Sequence, residues 1–282
     1  MTDLFTHILN KIAIRAEQLE GDYYVNGILY CGKCNTPKES KQLFTFNGQS
    51  FEKIVRVACK CADEEAQREK ERNEINKRKE SIMESLRNLV EMGAARMPEY
   101  DWSKFDHIDE KLCGRMHKYA ENFEQCYDKN IGLMLYGGTG TGKTFYAECI
   151  ANELLQKGRF AWLTSVSGIV NAMQNETYRA TIMHYVKNVD LLILDDFGTE
   201  RDTSYMSENI YNIVDARYVS KRPLIITTNI DKSAMMANSD IRIRRIGERL
   251  AESCVAIEVK GTTRRSNIAK EKVSQLKEIF GE

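Results

Sequence analysis

The chain of 282 residues predicts an α/β fold: a parallel five-stranded sheet, preceded by a small cysteine-bearing module and a connecting helix. Three observations predict it. Short apolar runs alternate with helix-period segments from about residue 131 onward, the pattern of strands buried on both faces. A glycine-rich loop of the form GxxxxGK[ST] joins the first of these runs to a helix. Two close cysteine pairs lie near the amino terminus, ahead of a charge-dense segment without Gly or Pro.

Composition sets the outer limits. The 41 basic and 41 acidic residues balance to a net charge of zero, so any nucleic-acid binding must come from a local patch. The start of the chain lacks a basic flank followed by an apolar core, and no apolar run approaches the roughly 20 residues that span a bilayer. A soluble cytoplasmic protein without a membrane partner is expected. There, eight cysteines are thiols or metal ligands rather than disulfides. Cys113, Cys126, Cys149 and Cys254 occur singly in apolar segments and read as small buried hydrophobes.

Along the chain, Leu4, Ile8, Ile12 and Leu19 recur at helical intervals, predicting a short amphipathic helix over residues 1–20. The module that follows, ending the first domain at residue 61, holds Cys31-Gly32-Lys33-Cys34 and Cys59-Lys60-Cys61. Cys31, Cys34, Cys59 and Cys61 suit four thiolates on one structural zinc ion, which would supply folding free energy to a module too small to fold alone. A redox dithiol and plain thiols are the alternatives, because CxC is tighter than the usual CxxC. Residues 62–96 form the second segment, an exposed connecting helix from Ala62 to about Met92, whose amphipathic end (Ile82, Leu86, Leu89, Val90) is available to dock on a partner. Pro98 breaks it, and the larger domain, 97–282, begins near Met97.

That domain carries the chemistry. Strands are expected at 131–136, 160–164, 191–194, 224–228 and 255–259. The loop Gly137-Gly138-Thr139-Gly140-Thr141-Gly142-Lys143-Thr144 lies between the first strand and a helix, where curled backbone amides and the helix dipole make a polyphosphate cradle. Lys143 is placed to reach the β and γ phosphates of ATP, and the Thr144 hydroxyl to ligate magnesium. Leu191-Leu192-Ile193-Leu194-Asp195-Asp196 brings two acids to a strand end, the first for magnesium and the second for an attacking water. Asn229, after Leu224-Ile225-Ile226-Thr227-Thr228, would sit near the γ phosphate. Arg242, Arg244, Arg245, Arg249, Arg264 and Arg265 enrich the carboxyl region in guanidinium groups able to neutralise charge during phosphoryl transfer.

These four ordered motifs, with Arg245-Ile246-Gly247-Glu248-Arg249-Leu250 closing the set, resemble the DnaC/DnaI and IstB group of AAA+ ATPases over roughly residues 95–270. The resemblance implies that Lys143 and Thr144 belong to Walker A, Asp195 and Asp196 to Walker B and Asn229 to sensor 1. Arg249 looks like the arginine finger, and Arg265 resembles the sensor 2 arginine. Two departures stand out. Aspartate replaces the commoner glutamate at the second Walker B position, which implies weak hydrolysis, and Thr263-Arg264 precedes Arg265, leaving Arg264 and Arg265 hard to tell apart. The family places a helical insertion that contacts single-stranded DNA at residues 165–188, with Asn175, Thr177, Tyr178, Arg179 and Lys187 as candidates. A zinc module joined through a helix to such a domain resembles helicase loaders. This implies a DnaB-type replicative helicase, single-stranded DNA and further copies of the chain in the ATP state as partners. An IstB-like helper of a transposase and a nucleotide-switched adaptor are the rival readings, with a small-molecule P-loop kinase behind them.

Overall fold

A computed structural model describes residues 15–46, 49–104, 109–198, 203–237, 241–261, 273–274, 276–277 and 279–280. Contacts divide the chain into two units, Met1–Ile75 and Asn76–Glu282. Most of the helix expected over residues 1–20 lies outside the described residues, and residues 15–20 are not helical.

The first unit is built from two hairpins. Strands β1 (Tyr23–Val25) and β2 (Ile28–Tyr30) pair antiparallel, and Asn26 and Gly27 at φ 51° and 79° supply the two left-handed residues that a tight hairpin turn requires. Strands β3 (Glu39–Phe46) and β4 (Gln49–Arg56) form the second pair, with Phe44 stacked on Phe51. Polar groups tie these pieces together. The buried Glu39 carboxylate accepts from the amides of Ala16 and Leu29, both at 3.1 Å, and Asp22 accepts from Leu19 N, Gly32 N and the Lys38 ammonium. Gly32 is obligatory, because a Cβ there would strike the Gly21 carbonyl.

Helix α1 (Lys60–Glu91) begins in the first unit and ends in the second. Its amphipathic end does not wait for a partner. Ile82, Leu86 and Leu89 are buried, and Leu86 and Leu89 join the cluster that holds Trp162, Leu192 and Leu194, while Val90 stays exposed. The unit that contains the sheet takes in the helix from Asn76 onward, and the apolar stripe is buried in it.

The second unit continues with α2 (Glu110–Glu121), α3 (Phe123–Asp128), β5 (Gly132–Tyr136), α4 (Lys143–Gln156), β6 (Ala161–Ser165), α5 (Val166–Ala172), α6 (Glu176–Asn188) and β7 (Leu191–Phe197). It closes with α7 (Ser204–Ser220), β8 (Leu224–Thr228), α8 (Lys232–Met236), α9 (Ile241–Ser253) and β9 (Cys254–Glu258). The five strands lie parallel in the order β6-β7-β8-β5-β9. Alternation along each strand feeds two cores. Met134, Trp162, Leu192, Leu194 and Ile226 face one cluster, while Leu133, Leu135, Leu163, Ile193 and Ile225 face the other with Phe145, Ile150 and Met116. Chain order reverses around β5, so the carboxyl ends of β5, β7 and β8 open onto one crevice, the usual ligand position in such sheets. Among the described residues no helix is long and apolar enough to cross a membrane.

Candidate nucleotide site and cysteine centre

The loop after β5 is shaped by glycine. Gly137, Gly140 and Gly142 have φ of 148°, 80° and 102°, and a Cβ on Gly137 would collide with the Val259 carbonyl of the chain leaving β9. Gly142 ends the loop in left-handed geometry and starts α4, so the helix amino terminus points into the crevice. Lys143 is nearly fully buried. Its ammonium donates to Gly137 O at 3.0 Å, Gly138 O at 2.8 Å and Asn229 Oδ1 at 2.8 Å.

Asp195 and Asp196 come from the end of β7, where the register against β8 shifts between Leu194 and Phe197. The bulge sends the two acids different ways. Asp195 is buried, and its Oδ1 accepts from the Thr144 hydroxyl at 2.8 Å and the Thr227 hydroxyl at 2.6 Å. Asp196 is exposed, at φ 55°, and its amide donates to Thr227 Oγ1 at 2.9 Å. One hydroxyl on β8 thus orients both acids.

A cavity of about 850 Å³ gathers Thr139, Gly140, Gly142, Lys143, Thr144, Asp195, Asp196 and Asn229. Its chemistry suits a nucleotide with magnesium: a cation and helix amides for phosphate, a hydroxyl and a carboxylate for the metal, an amide and a second carboxylate for water. The same cavity is lined by Arg96, Glu99, Tyr100, Phe145 and Glu148, which the sequence pattern did not single out. Glu148, one turn beyond Thr144, is buried, pairs with Arg96, and accepts from the amides of Glu99 at 2.8 Å and Tyr100 at 3.2 Å. Only the position of Glu148 four residues after Thr144 hinted at this; Arg96 lies far away in the chain.

The arginines expected at the site have different outcomes. Arg249, on α9, does not line this cavity: its guanidinium is ion-paired with Asp215 at 2.6 Å, accepts no role at the phosphate loop of its own chain, donates to Tyr211 Oη at 2.8 Å and lies over the Tyr211 and Tyr218 rings. Arg264 and Arg265 lie outside the described residues. The chain approaching them passes the phosphate loop, since a Cβ on Gly261 would sit 3.5 Å from Thr141 O. In the insertion, Asn175 caps α6 by accepting from Thr177 N and Thr177 Oγ1, so both side chains are engaged locally, and Tyr178 packs on the core. Arg179 and Lys187 line a second cavity together with Glu208 and Asp215.

In the first unit the Sγ atoms of Cys31, Cys34, Cys59 and Cys61 all lie within 4.8 Å of one another. The Cys31–Cys61 and Cys59–Cys61 separations are 3.6 and 3.4 Å, near the ~3.8 Å edge of a tetrahedron of sulfurs around zinc. The donor set fits that ion. The thiols titrate unequally: a hydrogen bond from Thr36 and the Cys61 amide pull Cys34 down to about 6, whereas hydrogen bonds to Cys59 and its neighbours push Cys61 up to about 12. Four thiolates cannot share this space without a cation. By contrast Cys149 and Cys254 are buried singly, and burial raises both thiols, as expected of small hydrophobes.

The family described as IstB-like ATP binding protein matches residues 52–272. The chain belongs to that family. The replicative helicase loader DnaC of Escherichia coli K12 is 32% identical over 140 residues, covering 47% of this chain and 54% of that protein. The replicative helicase loader DnaI of Bacillus subtilis strain 168 is 25% identical over 205 residues, covering 67% of this chain and 64% of its own length. The chain therefore spans between half and two thirds of the length of these relatives. A crystal structure of DnaI matches with a TM-score of 0.50 and 25% identity over 59% of this chain and 90% of that one. The second unit is an ATP-binding P-loop domain of the AAA+ type.

Proposed function

We propose that this protein is an ATP-dependent loader of a replicative hexameric helicase onto single-stranded DNA. The observation that carries the reading is the convergence of Lys143, Thr144, Asp195, Asp196 and Asn229 on one cavity, in a chain similar to two proteins named replicative helicase loaders. Lys143 and the loop amides hold the β and γ phosphates; Thr144 and Asp195 hold magnesium, which supplies charge neutralisation at the transferred phosphoryl group. Asp196 and Asn229 orient the attacking water. Hydrolysis is slow, because the short Asp196 side chain stands where a longer acid is common.

Arg249 acts in trans. Away from its own cavity and held by Asp215 and two tyrosines, it is a side chain to be presented to the nucleotide of a neighbouring copy, which makes turnover depend on assembly. The family resemblance gives Arg265 the sensor 2 role. Residues 1–61, with zinc on Cys31, Cys34, Cys59 and Cys61, form the module that grips the helicase; 62–96 connects it to the ATPase domain, and the exposed polar side chains of 165–188 serve single-stranded DNA.

Lys143→Ala is expected to abolish ATP binding, whereas Arg249→Ala keeps binding and loses turnover and ATP-dependent assembly. Equal loss of binding in both would remove the trans role. The loader reading is tested with full-length Asp196→Asn protein, loaded with ATP and used as bait in extract of the native host. A replicative helicase among the captured proteins supports it; a transposase in its place moves the function to transposition.

A further inference from the structure

The strap that follows α1, residues 92–100, puts a cation on Asp195, the carboxylate proposed to hold magnesium. Arg96 Nη2 lies 2.6 Å from Asp195 Oδ2, and Nη1 pairs with Glu148 Oε1. Both acids are buried, and a buried carboxylate requires a cation or donors close by. The other Asp195 oxygen is already taken by Thr144 and Thr227, so the oxygen that remains to meet an ion is the one Arg96 holds.

The strap itself is anchored on both sides of that residue. Arg96 N donates to Leu163 O at 3.0 Å and the Trp162 indole to Ala94 O at 2.9 Å, while the amides of Glu99 and Tyr100 bind Glu148 Oε2. The guanidinium side chain is 40% exposed and lines the cavity. The same guanidinium already holds Glu148, so a loss of the Asp195 contact leaves it one buried carboxylate partner.

We propose that Arg96 is a positioning residue: a tethered cation that holds Asp195 until magnesium arrives, so that the strap and the metal compete for one carboxylate and Glu148 receives the displaced guanidinium. This rests on the reading of Asp195 as the magnesium ligand. It gives the site a built-in magnesium threshold, and it keeps two buried acids neutralised while the nucleotide is absent.

The test follows binding of methylanthraniloyl-ADP to the full chain by fluorescence, with and without magnesium. Arg96→Gln is expected to lower the magnesium midpoint about tenfold, the scale of one charged hydrogen bond. Glu148→Gln removes the receiving partner and raises the midpoint. In the Arg96→Gln background the Glu148→Gln effect should vanish; additive shifts would mean a general field effect and overturn the competition. Loss of nucleotide affinity in EDTA with an unchanged midpoint would make Arg96 a phosphate ligand and overturn it equally. Should Arg96→Gln not fold, Arg96→Lys keeps the charge but reaches one acid at a time, and its midpoint must fall. Asp195→Asn tests the underlying reading separately: an unchanged midpoint there removes Asp195 as magnesium ligand, whatever Arg96 does.

Discussion

In the first unit the buried apolar side chains among the described residues are Ala16, Leu29 and Val55 beside Cys31 and Cys59; the sheet unit buries Trp162, Leu163, Ile193, Leu194, Ile225 and many more. The first compensates with polar ties, Glu39 to two amides and Asp22 to two amides and Lys38, and with four clustered sulfurs. Apolar burial stabilises in proportion to area, about 25 cal/mol per Å², so so small a core cannot offset the entropy of ordering its hairpins. The sheet unit needs no such device. With zinc on the four sulfurs, as proposed, the first unit would draw on metal binding where the sheet unit draws on apolar burial, and a treatment that removes one should spare the other.

The sharpest way to break this contrast is to strip metal. Chelation should unfold the first unit, withdrawing on the order of 10 kcal/mol of metal-linked stability, while ATP binding by the second survives. Hydrogen exchange resolved by segment checks it: slow exchange persisting in β1 to β4 without metal would show that the hairpins stand alone. A smaller effect separates the two cores. Leu86→Ala, fully buried in the sheet unit, should cost about 2–5 kcal/mol of that unit's stability, whereas Leu43→Ala, 70% exposed in β3, should change little. An unchanged melting temperature for Leu86→Ala would detach the end of α1 from the sheet unit.

The smallest effect is a slope. Cys61, raised to about 12, carries its proton at neutral pH, while Cys34, lowered to about 6, has lost its own. Metal must expel the proton from Cys61, so the loaded state binds fewer protons and zinc affinity should rise about tenfold per pH unit and released proton between pH 6 and 8. Below pH 6 Cys34 takes up its proton too, and the slope steepens. Zinc titrations with a pH indicator read the released protons directly; none released at pH 7 would contradict the assignment. ATP binding should show no such slope.

The sequence made the sheet unit legible for the reason that makes it stable. Strands covered on both faces read as unbroken apolar runs such as Leu191-Leu192-Ile193-Leu194, and the phosphate loop has fixed spacing. The hairpins of the first unit give no comparable signal, because β1 and β2 have only three residues each and β3 and β4, though eight residues long, interrupt any apolar run with charges at Glu39, Lys41, Glu52 and Lys53. The site was half legible. Lys143, Thr144, Asp195, Asp196 and Asn229 follow strands that announce them, but Arg96 meets Glu148 and Asp195 only through the fold, and no local pattern encodes a pairing across such distance in the chain. Thr227 was hidden for another reason: it reads as an ordinary strand residue until the bulge in β7 brings both acids to its hydroxyl. The apolar stripe of α1 is legible, but periodicity does not say which core receives it.

The bulge has a consequence for the choice of acid. At φ 55° the backbone of Asp196 lies in the left-handed region, which aspartate and asparagine enter far more readily than other side chains because their short polar groups bond locally. Glutamate, which lacks that local bonding, would bear the strain of this region less easily. The short acid is therefore matched to the main-chain geometry of the bulge, and lengthening it would reshape the strand end.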